Sequence, residues 1–293
     1  MVKAAAHQEV ENEPKPALYV VATPIGNLRD VSLRALDVLK SVDVVAAEDT
    51  RVAARLLGHY GIAVKVVALH EHNEQRMVPQ VLALLAAGKS VALVSDAGTP
   101  AVSDPGARLV AAVAEAGYRV VPLPGANAAI TALSAAGLAT PRFLFYGFLP
   151  ARAAERRREL EKLKKLPYAL VFYEAPHRVV DSIADLRTVF GADRRVVIAR
   201  ELTKMFETIH VCTLAEADAW LGENADRRKG EFVLIVDGRI AAADDEQQVR
   251  ARHLLPILLA ELPLAQAVAL ATKITGGKRN ELYDLALRLK GEP

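Results

Sequence analysis

Between residues 18 and 127, short apolar runs alternate with amphipathic stretches, and each run stops at a polar or glycine-bearing loop. LYVVAT (18–23) halts at Pro24-Ile25-Gly26-Asn27, and VDVVA (42–46) is followed by Glu48-Asp49-Thr50-Arg51. VKVVAL (64–69) ends at His70-Glu71-His72-Asn73-Glu74, SVALVS (90–95) at Asp96-Ala97-Gly98-Thr99, and RVVPL (119–123) at Pro124-Gly125-Ala126-Asn127. The stretches between them carry apolar residues at helical spacing, such as Leu33, Leu36, Val38 and Leu39 after a capping Asp30 or Ser32. Nearly uniformly apolar strands separated by helices predict a parallel sheet covered on both faces. In such a sheet all five loops share the rim at the carboxyl ends of the strands, where open α/β folds bind ligands.

The richest of these loops spans residues 93–106, LVSDAGTPAVSDPG. Gly, Pro, Asp and Ser are the usual turn formers, so turn geometry alone accounts for part of it. Its convergence with four other polar loops makes a ligand site the stronger reading. No three-glycine dinucleotide fingerprint follows the first strand, and no GxxxxGK[ST] phosphate loop occurs, which disfavours nicotinamide and ATP. His70 and His72 with Glu71 and Glu74 could ligate a metal, but hydrogen-bonding rim residues are the preferred reading, and no metal is expected. A cleft of small residues with Asp and Asn side chains suits S-adenosylmethionine, which has an amino-acid end and an adenosine end. Methyl transfer from it needs mainly positioning, plus a base when the acceptor is a hydroxyl.

From Pro141 the texture changes. FLFYGFLP leads into residues 151–165, ARAAERRRELEKLKK, with seven basic and three acidic side chains. That composition fits a solvated amphipathic helix with i,i+4 pairs, and it equally fits a phosphate-contacting face. The candidates for the latter are Arg152, Arg156, Arg157, Arg158, Lys162, Lys164 and Lys165. Strands at 169–173, 195–199, 208–213 and 231–236, with fewer helices between them, predict a mixed or antiparallel sheet. An acidic linker then precedes helices at 249–262, 264–274 and 280–289, the last two resembling a helix-turn-helix pair. With acidic and basic side chains nearly balanced over 245–293, six against seven, this tail reads more readily as a packing or dimerisation module than as a nucleic-acid reader. The division expected is a disordered 1–16, an N-terminal lobe 17–138, a C-terminal lobe 139–240 and a helical tail 245–293.

The single cysteine, Cys212, rules out an internal disulfide and fits a reducing cytoplasm. No apolar run reaches the roughly 18 residues of a membrane span, and the N-terminus lacks a signal-peptide core, so no membrane partner is expected. A net charge of +2 decides nothing, and 5% aromatics argues against base stacking as the main mode of action.

Eight segments in order, VATPIGNLRDVSLRALDVLK, AAEDTR, LHEHNE, VSDAGTPAVSDPG, PLPGANAAITAL, FLFYGFLP, FYEAPHRV and KGEFVLIV, resemble the tetrapyrrole methylase-like family, in its branch acting on small-subunit ribosomal RNA. The resemblance implies two α/β lobes with S-adenosylmethionine in the cleft between them, a homodimer, and 2'-O-methylation of a 16S rRNA cytidine near the decoding centre of the 30S subunit. It implies cofactor contacts at Pro24, Ala97, Gly98, Thr99, Val102, Asn127, Ala128, Glu174, Leu202, Gly230 and Glu231. The family's Gly-Gly-Asp is Ala97-Gly98-Thr99 in this chain, so Asp96 or Asp104 is expected to take over the missing aspartate's role. The resemblance fixes no catalytic base. Glu48, Asp49, Arg51 and His70 are candidates by their place on the rim, where RNA contact or loop locking is an equal alternative. A methyltransferase on a small tetrapyrrole and a non-catalytic RNA-binding protein are the competing functions.

Overall fold

The computed structural model describes residues 16–138, 142–238 and 243–290. Two compact units emerge: Met1–Lys164 with Ala169–Asp237, and Lys165–Tyr168 with Gly238–Pro293. The expected disordered segment at 1–16 lies almost wholly outside the described residues.

The first unit begins with a parallel sheet of β1 (Ala17–Val21), β2 (Val44–Ala47), β3 (Lys65–Ala68), β4 (Val91–Val94) and β5 (Arg119–Leu123), in the order β3-β2-β4-β1-β5. Strand alternation divides its side chains between two cores. Ala17, Tyr19, Val21, Val45 and Ala92 pack with α1 (Leu33–Ser41) and α2 (Thr50–His59) on one face. Leu18, Val44, Ala46, Val91 and Leu93 pack with α3 (Glu74–Ala86) and α4 (Ala107–Glu115) on the other. Neighbouring strands β1 and β4 are therefore followed by helices on opposite faces. Their outgoing loops part, and this opens the crevice that doubly wound sheets use for ligands.

Local capping sets where these helices start. Of the two residues expected to cap α1, Ser32 does so: its Oγ accepts the Ala35 N–H at 3.1 Å. Asp30 instead closes a 3-10 turn over Leu28–Asp30. Helix α4 has no cap from its own Gly106. Buried Glu74 on α3 supplies one, its Oε1 accepting the N–H groups of Gly106, Arg108 and Leu109 at 3.1, 2.9 and 3.1 Å.

The second sheet has the order β6-β7-β10-β8-β9, from β6 (Phe143–Phe148), β7 (Ala169–Glu174), β8 (Arg195–Arg200), β9 (Thr208–Thr213) and β10 (Phe232–Val236). It is mixed, as expected, with β6 parallel to β7 and the other pairs antiparallel. FLFYGFLP, which the sequence leaves without an element, forms β6, and a register shift between Phe145 and Gly147 breaks the alternation that would reveal it. Helix α5 (Ala128–Ala135) departs from β5 and packs on this second sheet. Its Ala129 and Ala132 lie against Val171, Val197, Ala199, Val233 and Ile235. Small side chains allow that close approach, and the Ala129 N–H donates to Tyr173 Oη at 3.2 Å. Helix α7 (Val179–Phe190) packs against α6 (Ala153–Leu163) and α8 (Leu214–Glu223).

The second unit packs α9 (Ala243–Glu261), α10 (Leu264–Thr275) and α11 (Arg279–Lys290) around Ala251, Leu255, Val268, Ala271, Leu282 and Ala286. Helix α9 starts six residues before the expected Val249, within the stretch read as a linker, since negative charge is compatible with a helix N-terminus. Among the described residues, no helix is long and apolar enough to cross a membrane.

Candidate functional site

The crevice beyond β1 and β4 opens into a cleft of ≈ 470 Å³ bounded by both sheets of the first unit. The 96–106 loop forms its floor and is pinned at both ends. Thr23 and Gly98 exchange backbone hydrogen bonds of 2.8 and 3.0 Å, and Thr23 Oγ1 donates to Ser95 O at 3.1 Å. Thr99 Oγ1 donates to Ala126 O at 3.1 Å, binding this loop to the one after β5. Ala101 and Ser103 adopt φ of 64° and 68°, a strained conformation that these surrounding bonds hold in place.

The opposite wall is the segment after β8. Glu201 and Thr203 also have positive φ, 50° and 65°, and buried Leu202 between them lines the cleft. Gly26 of the first loop lies so close that a Cβ there would meet Lys204 Cγ at 2.5 Å and Leu202 O at 3.0 Å. Gly230 serves the same purpose: a Cβ would strike the Glu201 carboxylate, whose Oε1 accepts the Glu231 N–H at 2.9 Å. Buried Arg200 holds the wall from behind, donating to the carbonyls of Phe206, Asp226 and Lys229 at 3.1, 2.7 and 2.6 Å.

Of the residues expected to contact a cofactor, Asp96, Ala97, Gly98, Thr99, Val102, Asn127, Ala128, Glu174, Leu202 and Glu231 all line this one cleft. Gly230 is not among the lining residues. Pro24 lines a separate cavity, and Ile25 takes the first loop's place in the cleft. Glu174 borders the cleft with both carboxylate oxygens engaged: Oε1 accepts from the Ala175 N–H and Arg178, and Oε2 from Ser182 Oγ at 2.5 Å. Asp104, the other aspartate expected to take over the missing one's role, lines the cleft too, and Ser103, Phe148, Tyr173, Ala175, Pro176, Phe232 and Val233 do so without having been expected as contacts. Phe148 and Tyr173 come from the second sheet, and only the tertiary fold brings them opposite the 96–106 loop.

Besides Glu174 and Glu231, the carboxylates of Glu48, Asp96 and Asp104 line this space. Burial, with Glu48 and Asp96 nearby, pushes Asp104 up to about 6, while the Ser95 hydroxyl acts the other way. Burial and the Asp96 charge also raise Glu48, against a backbone hydrogen bond from Asp96. Asp49 behaves oppositely. Hydrogen bonds from the Arg51 side chain and backbone lower it to about 2, and it caps α2. Its exposed partner Arg51 points to solvent, 85% accessible, so this pair locks a helix start and holds no proton near neutrality. His70 is half-buried and close enough to Glu48 to lower its pKa. No group of three His, Cys, Asp or Glu is placed to hold a metal ion among the described residues.

The basic helix divides. Arg156 is not on an RNA-facing surface: its side chain is 4% exposed and pairs with Asp185 at 2.6 Å, while Nη1 donates to Pro150 O and Ala151 O. Arg157 pairs with the same Asp185 and is half-exposed. Arg152, Lys162 and Lys164 are exposed and paired with Glu155, Glu159 and Glu161. Arg158 and Lys165 are exposed without an ion pair among the described residues. One turn of helix points Arg156 inward beside Leu160, a distinction that charge counting along a chain misses.

Two sheets joined through a small-residue helix, with a cofactor-sized cleft between them, define the tetrapyrrole methylase class. The family described as Tetrapyrrole (Corrin/Porphyrin) Methylases matches residues 17–218, and the RsmI C-terminal HTH domain matches 243–290. The fold resembles a cobalt precorrin-4 methyltransferase from cobalamin biosynthesis (TM-score 0.56, 20% identity, 75% of this chain and 94% of that one). It also resembles the uroporphyrin-III C-methyltransferase of Thermus thermophilus (0.52, 21%, 75% and 94%). Two relatives bear the name ribosomal RNA small subunit methyltransferase I. That of Escherichia coli O157:H7 is 52% identical over 97% of this chain and 99% of its own, and that of Pseudomonas aeruginosa 52% over 94% and 98%. The chain belongs to the ribosomal RNA small subunit methyltransferase I family.

Buried Glu74 gives a direct test of how the floor loop is held. Glu74→Ala orphans three amide N–H groups at the loop's exit and is expected to lower stability by about 1–3 kcal/mol. Thermal melting by circular dichroism measures this, and calorimetry with S-adenosylmethionine is expected to show weakened affinity; an unchanged melting temperature would contradict the capping role.

Proposed function

We propose that this chain transfers a methyl group from S-adenosylmethionine to the ribose 2'-hydroxyl of a cytidine in 16S rRNA, near the decoding centre of the 30S subunit. It does so as a cytoplasmic homodimer built of the two lobes, 17–138 and 139–240, and the helical tail, 245–293. The observation that carries the reading is the cleft itself: apolar residues Ile25, Val102, Leu202 and Val233 line it together with the carboxylates of Glu48, Asp96 and Asp104 and the small residues Ala97, Gly98 and Thr99. Such a lining fits a ligand with an adenosyl body and a sulfonium charge. When bound, the cofactor supplies an electrophilic methyl on that sulfonium.

The residues divide the remaining work. Ala97, Gly98 and Thr99 admit backbone contact, and Asn127 and Ala128 bring the start of α5 to the cleft. Leu202 and Val233 exclude water from the reacting atoms. Asp104, raised to about 6, is ionised near neutrality yet holds a proton more readily than an ordinary carboxylate. That makes it the best-suited acceptor for the hydroxyl proton, since a general base works best with a pKa near the operating pH. Glu48 sits beside it and keeps its proton affinity high. Exposed Arg152, Arg157, Arg158, Lys162, Lys164 and Lys165 contact RNA phosphates.

The test is incubation of the protein with methyl-labelled cofactor and either 30S subunits or free precorrin-type substrates. Label is expected in 16S rRNA, with alkali-resistant linkage at one cytidine. Label in the small tetrapyrrole alone would overturn the assignment, and label in neither would favour a binding role.

A further inference from the structure

A second cavity, of ≈ 270 Å³, shares Asp96 with the cofactor cleft. Pro24, Leu28, Val52 and Leu56 give it an apolar lining, and Asp96 and Arg55 are its charged members. Its position is set by the fold. The 3-10 turn bearing Leu28 is held to the end of α2 by Tyr60 Oη, which donates to Leu28 O at 2.6 Å. It is held to the post-β8 wall by the Asn27 N–H, which donates to Thr203 Oγ1 at 3.1 Å. Leu28 nonetheless remains 40% exposed, an apolar side chain facing open space.

Two features at this cavity are unsatisfied by the chain itself. Arg55 is exposed and makes no hydrogen bond or ion pair among the described residues. Asp96 uses Oδ1 to accept the Asp49 N–H at 2.9 Å, and its Oδ2 has no donor among the described residues. Asp96 also lines the cofactor cleft, so a group seated against it lies next to the place where methyl transfer occurs.

We infer that this cavity is the acceptor subsite, taking one unstacked pyrimidine nucleotide of single-stranded RNA, with Asp96 accepting the exocyclic amino group of a cytosine. Recognition of RNA sequence works mainly on splayed-out bases, whose faces need apolar contact and whose edges need hydrogen-bond partners. Pro24, Leu28, Val52 and Leu56 supply the contact. A carboxylate accepts from the cytosine N4 amine and opposes the O4 carbonyl that uracil carries at the same position. Arg55 supplies charge for the phosphate of the same nucleotide or its neighbour. This subsite would separate the chain from relatives of the same fold whose acceptors are large macrocycles.

The inference rests on the RNA methyltransferase reading, and the experiment keeps the two apart. Wild type is first assayed for methyl transfer to 30S subunits; absence of transfer sinks that reading and this one together. Given transfer, Val52→Trp fills the cavity and Arg55→Ala removes its free cation from the surface. Each is expected to raise the KM for 30S subunits at least tenfold while S-adenosylmethionine affinity, read by calorimetry, stays within about twofold. An unchanged KM in both variants overturns the subsite. Loss of cofactor affinity in Val52→Trp, with Arg55→Ala unaltered in KM, also overturns it by assigning the cavity to the cofactor. Arg55→Ala lies at an exposed position and folds whatever Val52→Trp does. As a specificity readout, 30S subunits with uridine at the mapped position are expected to be methylated at least tenfold more slowly by wild type; equal rates would remove the role given to Asp96.

Discussion

Asp104→Asn is expected to lower the rate of methyl transfer by about 10²–10⁴-fold, the usual contribution of a positioned general base. The amide keeps the shape of the loop and loses the proton acceptor. In wild type, the rate should fall as pH drops through about 6, because protonation of Asp104 removes the base. In the variant that acid limb should vanish from a much lower plateau. Stability is expected to move the other way. A carboxyl whose pKa is raised in the folded chain binds its proton more tightly there than when unfolded. It therefore costs stability above about 6, and that cost fades as pH falls toward the ordinary carboxylate range. Asp104→Asn should accordingly be at least as heat-resistant as wild type at pH 7 while nearly inactive. Such an exchange is common where an active site is held in an unfavourable state. Single-turnover rates between pH 5 and 8, with melting curves over the same range, measure both. A variant with wild-type rate would exclude Asp104 and return attention to Glu48.

The second large effect is structural. Asp185→Ala is expected to destabilise the first unit by about 3–5 kcal/mol, since it leaves Arg156 buried without its counter-charge. Asp185 receives Arg156 and Arg157 together, each at 2.6 Å, and its side chain is 4% exposed. In a domain of this size that corresponds to a melting temperature lower by on the order of 10 °C. Arg156→Ala should cost less, because Arg157 still neutralises Asp185. The paired replacement Arg156→Met with Asp185→Leu should recover most of the loss, as apolar substitutes for buried ion pairs often do. Melting curves of the three variants decide the matter. Equal small losses would show that the pair contributes little. The same experiment bears on RNA contact. Arg156 acts inside the fold, so reduced RNA affinity in its variant should track the loss of folded protein, whereas Arg158→Ala should weaken binding without any change in melting.

Much of the architecture was legible along the chain because it follows from period and punctuation. Uniformly apolar strands ending at Pro24-Ile25-Gly26-Asn27, Glu48-Asp49 and Pro124-Gly125 announced a parallel sheet with its loops on one rim. β6 was missed because a bulge at Tyr146 shifts its register, so its residues fit neither a helical nor a two-residue period. The cap of α4 was equally hidden, since Glu74 reaches it from thirty-odd positions upstream. Charge counting overestimated the basic surface, because it cannot tell Arg156, turned into the fold, from Arg158 beside it.

The sequence by itself determined which residue types stand at the strand ends, and with them the small-residue floor at Ala97-Gly98-Thr99 and the carboxylates on the rim. Those choices are local, set by backbone conformations that only some residues accept. The tertiary structure decided which carboxylate is perturbed. Asp49 and Asp104 look alike in a string of letters, yet Arg51 holds one down to about 2 and burial beside Glu48 lifts the other to about 6. A pKa depends on solvent and on charges brought near by folding, and neither is written in the neighbouring residues.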